Sequence, residues 1–228
     1  MLKDWKKMPE NMQTEEVRPY YEALKKKKCS LFLKRCFDLV LSVLMLLFLL
    51  PLLAILALLV VCDSKGGVFY RQERVTQYGR TFRIFKFRTM VANADRMGAQ
   101  VTVQGDARIT RIGGFLRKYR LDELPQLLNI VLGDMSFVGT RPESVYYVKA
   151  YTPEMMATLL LPAGVTSEAS IRYKDEAKLL DRVDNVDEVY IHTILPQKMK
   201  YNLESIRNFG LGRDIATMFR TVGAVFKE

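Results

Sequence analysis

Histidine is almost missing from this chain. His192 is the single one in 228 residues. No second metal ligand stands three or four positions after it, so it reads as structural rather than as part of a metal centre. Cysteine is sparse as well. Cys29, Cys36 and Cys62 are scattered without C-x-x-C spacing, which argues against a disulfide framework or a zinc site and suits a reducing compartment. No helix-turn-helix, RNP-like or zinc pattern is present, so nucleic acid is not an expected partner. There are no internal repeats, and the one low-complexity tract is the lysine run at 25–28. Acid is also the minority charge: 25 Asp and Glu face 35 Lys and Arg, for a net charge of +10. A balance of that size points to anionic partners, such as a membrane surface or phosphorylated substrates.

What is abundant is local. Residues 43–62 read "VLMLLFLLPLLAILALLVVC" without one charge, about the length needed to cross a bilayer as a helix. The run begins far from the N-terminus, is too long for a secretory signal and lacks a small-residue cleavage site. Pro51 interrupts it, removing a backbone hydrogen bond. Both flanks are basic, with Lys25 to Lys28, Lys34 and Arg35 before and Lys65, Arg71, Arg74 and Arg80 after. A spanning helix prefers one basic side. A helix that enters one leaflet, breaks at Pro51 and returns keeps both flanks beside anionic headgroups. An ordinary kinked anchor is the other reading, since proline is tolerated in spanning helices.

The expected fold class is α+β and mainly helical. We divide the chain into a basic N-terminal arm (1–33), a membrane helix broken at Pro51 (34–62) and a cytosolic domain at the membrane face (63–228). The arm reads as an interfacial helix or as a loose tail. "VFYRQERV" and "TFRIFKFRTM", separated by "TQYGR", predict an antiparallel β-hairpin. In its second strand, alternation places Phe82, Ile84, Lys86 and Arg88 on one side. Two cations there can grip a phosphate, or simply lie along a solvated edge. "ITRIGGFLRKY" has helical spacing of Ile109, Ile112, Phe115, Leu116 and Tyr119, with Arg111, Arg117 and Lys118 opposite. "LPQLLNIVLG" predicts a buried helix ending at Gly133. Residues 133–143 form a loop in which Gly139 and Pro142 restrain Arg141. Residues 146–161 are either core or a face in the headgroup zone. The polar stretch 172–188 reads as surface, and helices are expected over about 187–207 and 213–226.

The most telling stretch is "KYRLDELPQLLNI", residues 118–130. Asp122 and Glu123 stand side by side where a helix is about to start in a basic protein. The bland account makes Asp122 an N-cap, with Glu123 at the positive helix end and Pro125 in the first turn. The chemical account uses the same place: a carboxylate at a helix start among arginines stays ionised. It can then attack phosphorus or hold Mg²⁺, which takes one or two carboxylates plus phosphate oxygens. Surrounding cations would steady a diphosphate.

"KRCFDLVLSVLMLLFLLP", "VFYRQERVTQYGRTFRIFKFRTM" and "GDARITRIGGFLRKYRLDELPQLLNIVLGDMSFVGTRPE", in this order, resemble the monotopic bacterial phosphoglycosyl transferases, the bacterial sugar transferase family. The likeness is strongest over 34–143 and weaker to about 221. It implies transfer of a phospho-sugar from a UDP-sugar to undecaprenyl phosphate or a similar polyprenyl phosphate. UMP is released, Mg²⁺ is the cofactor, and the product begins a surface glycan at the cytoplasmic face of a bacterial inner membrane. It also implies a re-entrant membrane helix in contact with lipids, interfacial amphipathic helices and the family's small form. On matching positions, Asp122 is the nucleophile and the Mg²⁺ contact, and Glu123 is the second member of the dyad. Arg117 and Arg141 stand near the substrate phosphates, Lys86 near the nucleotide, and Arg88 joins the substrate-binding set. A second copy of the chain is left open as a partner. Three positions depart from the pattern: Leu50 replaces a serine before the proline, Thr140 replaces the first proline of Gly-Pro-Arg-Pro, and "LPAGVTSEASIRY" replaces the usual Pro-Gly/Thr-Gly pattern. The sugar therefore does not carry over. The alternative is a non-catalytic, membrane-anchored basic module that binds lipids or a partner.

Overall fold

The computed structural model describes residues 2–92, 94, 106–179 and 185–226. Its N-terminus shows how few apolar residues a charged segment needs to dock. Met8, Met12, Val17, Tyr20, Tyr21 and Leu24 are all buried, in one cluster with Met156 to Leu160, Ile206 and Phe209. Helix α1 (Arg18–Lys25) supplies three of them. Trp5 packs edge-on against Tyr21 at 5.0 Å, and the Tyr20 hydroxyl donates to Glu154 at 2.6 Å. The arm is thus not a loose tail, because the protein core takes its apolar side. The apolar residues of 146–161 resolve the same way, with Tyr147, Met156, Leu159 and Leu160 in the interior.

The charge-free run lies in helix α2 (Lys28–Asp63), long and apolar enough to cross a membrane. It continues through Pro51, where the sequence led us to expect a break. Proline costs one ladder hydrogen bond, and the adjoining turns retain theirs. One stripe of α2 faces the rest of the protein along its whole length. Lys34, Asp38 and Ser42 begin it, Leu41, Met45, Leu46 and Leu49 continue it, and Leu53, Leu56, Ala57 and Val60 finish it. The other face is open, with Leu44, Leu47, Phe48, Ile55 and Leu58 exposed.

The expected hairpin is present as β1 (Phe69–Val75) and β2 (Thr81–Phe87), paired antiparallel from Phe69↔Phe87 to Val75↔Thr81. Tyr78, with φ 60°, and Gly79 make its turn. Then follow α3 (Arg111–Lys118), a 3-10 turn at Leu121–Glu123, α4 (Gln126–Leu132) and β3 (Met135–Val138). Gly133 ends α4 in the left-handed conformation, as its sequence suggests. Short α5 (Val145–Val148) leads to β4 (Ala163–Thr166), which pairs parallel with β3. This second sheet was not foreseen; only an antiparallel one was. Gly139 and Gly164 permit it, since a Cβ on Gly164 would lie 2.1 Å from the Gly139 nitrogen. Among the described residues β4 is followed by α6 (Glu168–Arg172), α7 (Glu176–Leu179), α8 (Val186–Val189) and, after a π turn at Tyr190–Ile194, α9 (Leu195–Arg207). Last comes α10 (Leu211–Phe226). Of the polar stretch 172–188, residues 180–184 lie outside the described residues.

Two apolar clusters set the site in place. Phe82, Ile84, Leu127, Ile130, Met135 and Phe137 pack β2, α4 and β3 against the first half of the α2 stripe. Phe87 and Leu116 pack with Leu56 and Val60 on its second half. Polar ties fasten both ends. Arg35 caps α4 through the Ile130 and Val131 carbonyls at 2.6 and 3.1 Å, and Asp63 accepts from the Ile112 amide at 2.9 Å.

Candidate active site

The acidic pair does not cap a helix. Helix α4 begins only at Gln126, with Pro125 in the N-cap place. Asp122 and Glu123 sit in the preceding 3-10 turn, entered through Arg120 at φ 56°. A non-glycine residue in that region costs about 1–2 kcal/mol, and such strain is tolerated where surrounding contacts hold it. The tight turn leaves both carboxyl groups off the α4 backbone and available to side chains.

Glu123 collects the cations. Lys86, near the end of β2, donates to its Oε1 at 2.8 Å, and Arg141, after β3, donates to the same oxygen at 2.5 Å. Burial alone would push the Glu123 carboxyl up, but Arg141 and Lys86 outweigh it and hold the group well below the usual glutamate range. Arg141 is raised in turn, chiefly by Glu123. Burial pulls the Lys86 ammonium down against the attraction of Glu123.

Asp122 is the opposite case. It is 7 % exposed, and no described residue makes a side-chain hydrogen bond or ion pair with it. Burial and the adjacent Glu123 push its carboxyl up, against the weaker pulls of Lys86, Arg117 and Arg141. This corrects the expectation that the arginines hold Asp122 firmly ionised; Arg141, with Lys86, is taken up by its neighbour. Arg117, on α3, is drawn down by burial and feels Asp122 as its strongest compensating charge.

Arg88 is elsewhere. The hairpin's alternation fails at Phe87 and Arg88, which are both buried. The Arg88 guanidinium donates to the carbonyls of Ser64 at 2.6 Å and Val60 at 3.3 Å, and to that of Lys65. It satisfies the end of α2, where four carbonyls lack helical partners. So the structure brings Lys86, Glu123 and Arg141 together beside Asp122, puts Arg117 within electrostatic reach, and assigns Arg88 to a helix terminus.

Two residues that sequence reasoning passed over matter here. Asn129 stands in for a third strand: its Oδ1 accepts from the Phe85 amide at 2.8 Å and its Nδ2 donates to the Arg83 carbonyl at 3.1 Å. That fixes β2 against α4 and sets the position of Lys86. Gln126 is 1 % exposed, and neither its oxygen nor its nitrogen has a hydrogen-bond partner among the described residues. The available signal was polar residues on the buried face of an otherwise apolar helix. A cavity of about 360 Å³ adjoins the loop at Thr140, lined also by Tyr201, Asn202 and Arg213, but neither Asp122 nor Glu123 borders it.

Among the described residues, then, Asp122 is a buried carboxylate without a side-chain partner, beside a Glu123 carboxylate that takes two cations. The profile of the family described as bacterial sugar transferase matches residues 29–228. The chain belongs to that family. Over 197 residues it is 34% identical to the UDP-N-acetylgalactosamine-undecaprenyl-phosphate N-acetylgalactosaminephosphotransferase of Aeromonas hydrophila, covering 85% of this chain and 44% of that one. Over 195 residues it is 34% identical to the UDP-glucose:undecaprenyl-phosphate glucose-1-phosphate transferase of Escherichia coli, covering 83% and 39%. The exopolysaccharide production protein ExoY of Sinorhizobium fredii is 31% identical over 207 residues, 84% of each chain. The chain thus spans less than half the length of the first two relatives.

Proposed function

We propose that this member of the family is a phosphoglycosyl transferase acting on a UDP-sugar and undecaprenyl phosphate at the cytoplasmic face of a bacterial inner membrane. The observation that carries this is the division of labour in the dyad: Glu123 takes Lys86 and Arg141, and Asp122 has no such partner among the described residues. An Asp122 oxygen attacks the phosphorus that bears the sugar. The bond from that phosphorus to the bridging oxygen breaks, and UMP leaves with the electron pair. An oxygen of the polyprenyl phosphate then attacks the same phosphorus, the aspartyl oxygen departs as carboxylate, and a polyprenyl diphosphate sugar is formed. Glu123, held ionised by two cations, acts as the anchor that sets Lys86 and Arg141 where the diphosphate lies.

Among the described residues no group of three or more His, Cys, Asp or Glu could hold a metal ion. A divalent ion would rely on Asp122, whose carboxylate is uncommitted, together with substrate phosphate oxygens and water. That donor set suits Mg²⁺. When bound, Mg²⁺ would neutralise charge on the diphosphate.

The membrane arrangement we propose keeps both ends of α2 on one side. Along its axis α2 from Arg35 to Asp63 runs roughly 42 Å, more than the hydrocarbon thickness. Yet Asp38 accepts from the Phe137 amide and Asp63 from the Ile112 amide of the same domain. That favours a helix lying against the domain with its open face in lipid. The test of function is UMP release from a panel of UDP-sugars with and without polyprenyl phosphate; no release from any would make the lipid-binding module the better reading.

A further inference from the structure

Glu143 follows Pro142, two residues after Arg141, and is 7 % exposed. A carboxylate buried that deeply is costly unless a cation and hydrogen bonds satisfy it. Arg141 and Arg74 are its near cations, and Glu143 acts on the charge of both. If Arg141 served as its partner, it would be drawn back from Glu123. The structure supplies another partner. The Tyr190 hydroxyl donates to Glu143 Oε1 at 2.6 Å. The Lys198 ammonium stands 3.5 Å from the same oxygen and donates to Tyr190 at 2.8 Å and Glu176 at 2.9 Å.

The backbone explains how Tyr190 and Lys198 meet. In a regular helix an eight-residue separation leaves a rotation of about 80° between the two side chains. The π turn at Tyr190–Ile194 takes up the extra residue, and π turns often mark functional places. The loop itself is pinned at three backbone points. Gly164 donates to the Thr140 carbonyl at 2.8 Å, Arg74 to that of Pro142 at 3.5 Å and Val75 to that of Glu143 at 3.0 Å. Thr140 lacks a proline's fixed backbone, so these ties do the restraining.

We propose that Lys198 and Tyr190 are positioning residues for Arg141: by satisfying Glu143 from behind the loop, they leave Arg141 to pair with Glu123 and with the donor's diphosphate. The inference rests on the function proposed above. In Lys198→Met, Glu143 keeps the tyrosine but loses its cation and competes for Arg141.

The experiment uses the full chain in membranes or nanodiscs, with the UDP-sugar that the parent turns over. Lys198→Met lowers kcat/KM roughly tenfold, mainly through KM for the donor. Adding Glu143→Gln, which removes the unbalanced charge, recovers most of the loss. Tyr190→Phe, a milder change that keeps the fold if Lys198→Met does not, shifts KM in the same direction. Hydrogen exchange quickens at the Val75 and Gly164 amides in Lys198→Met. Unchanged kinetics in both variants overturn the proposal, as does a loss that the double variant retains in full. If the parent itself releases no UMP, the functional reading fails. The exchange result at Val75 and Gly164 still decides whether Lys198 holds the loop, and unaltered exchange there sinks the inference.

Discussion

Asp122 and Glu123 are consecutive residues in opposite electrostatic surroundings. Glu123 accepts from Lys86 at 2.8 Å and Arg141 at 2.5 Å, while Asp122 accepts from no described residue. The paired acid is held below its ordinary range and the unpaired one is pushed above it. A protein has little structural reason to keep the second carboxylate, since a buried charge without a partner works against folding. On the function proposed above, that cost is the condition of its role.

That expense is measurable. Asp122→Asn removes the charge at nearly the same volume and relieves repulsion with Glu123. We expect UMP release to disappear and thermal stability to rise, by about 1–2 kcal/mol, or roughly 2–8 °C at this size. Differential scanning fluorimetry of the purified protein, beside the UMP assay, checks both. A lower melting temperature would show that Asp122 is structurally satisfied after all.

The pH dependence follows from the direction of the Asp122 shift. On the proposed mechanism Asp122 must be ionised to attack, so kcat/KM should fall as pH drops through its raised value, above the ordinary aspartate range. Arg117 pulls that value down. Removing the guanidinium in Arg117→Ala therefore lets it climb, and the acid limb moves to higher pH. Rate profiles of parent and variant between pH 5 and about 8 should show the displacement. A shift to lower pH would contradict the placement of Arg117.

Glu123 contributes to stability with the opposite sign. Its carboxyl is depressed in the fold, so the contribution is fully present above the unfolded glutamate value and is lost as pH falls through the folded one. Glu123→Gln leaves Lys86 and Arg141 buried without their anion and should cost about 3 kcal/mol at neutral pH. The difference from the parent should narrow in acid, which denaturant unfolding at two pH values would reveal.

Arg88→Met separates capping from substrate binding. The variant exposes the need of the Val60, Ser64 and Lys65 carbonyls and should cost about 1–3 kcal/mol of stability. KM for the UDP-sugar should stay near that of the parent, whereas Arg141→Ala should raise it. A large KM effect in Arg88→Met would return Arg88 to the binding set.

These residues also show what a sequence discloses. The hairpin and the end of α4 at Gly133 were legible because turn residues and capping glycines act locally. Lys86, Glu123 and Arg141 were nominated by resemblance, and the fold brings them within hydrogen-bonding distance. Arg88 misled because strand alternation was extended one residue beyond the last regular pair, where the end of α2 claims the side chain. The β3–β4 pairing was hidden because two four-residue strands meet across a long separation through the close approach of Gly139 and Gly164. The N-terminal arm was hidden because its six buried apolar residues are scattered among lysines and acids, and the surface that receives them lies more than a hundred residues away.

Mass spectrometry of acid-quenched protein is the most direct test. Mixed with Mg²⁺ and a UDP-sugar but no polyprenyl phosphate, the parent should gain the mass of one phospho-sugar on the peptide containing Asp122. Asp122→Asn should gain none. A parent that never carries the adduct, and that frees UMP only when the lipid acceptor is present, would contradict a covalent aspartyl intermediate.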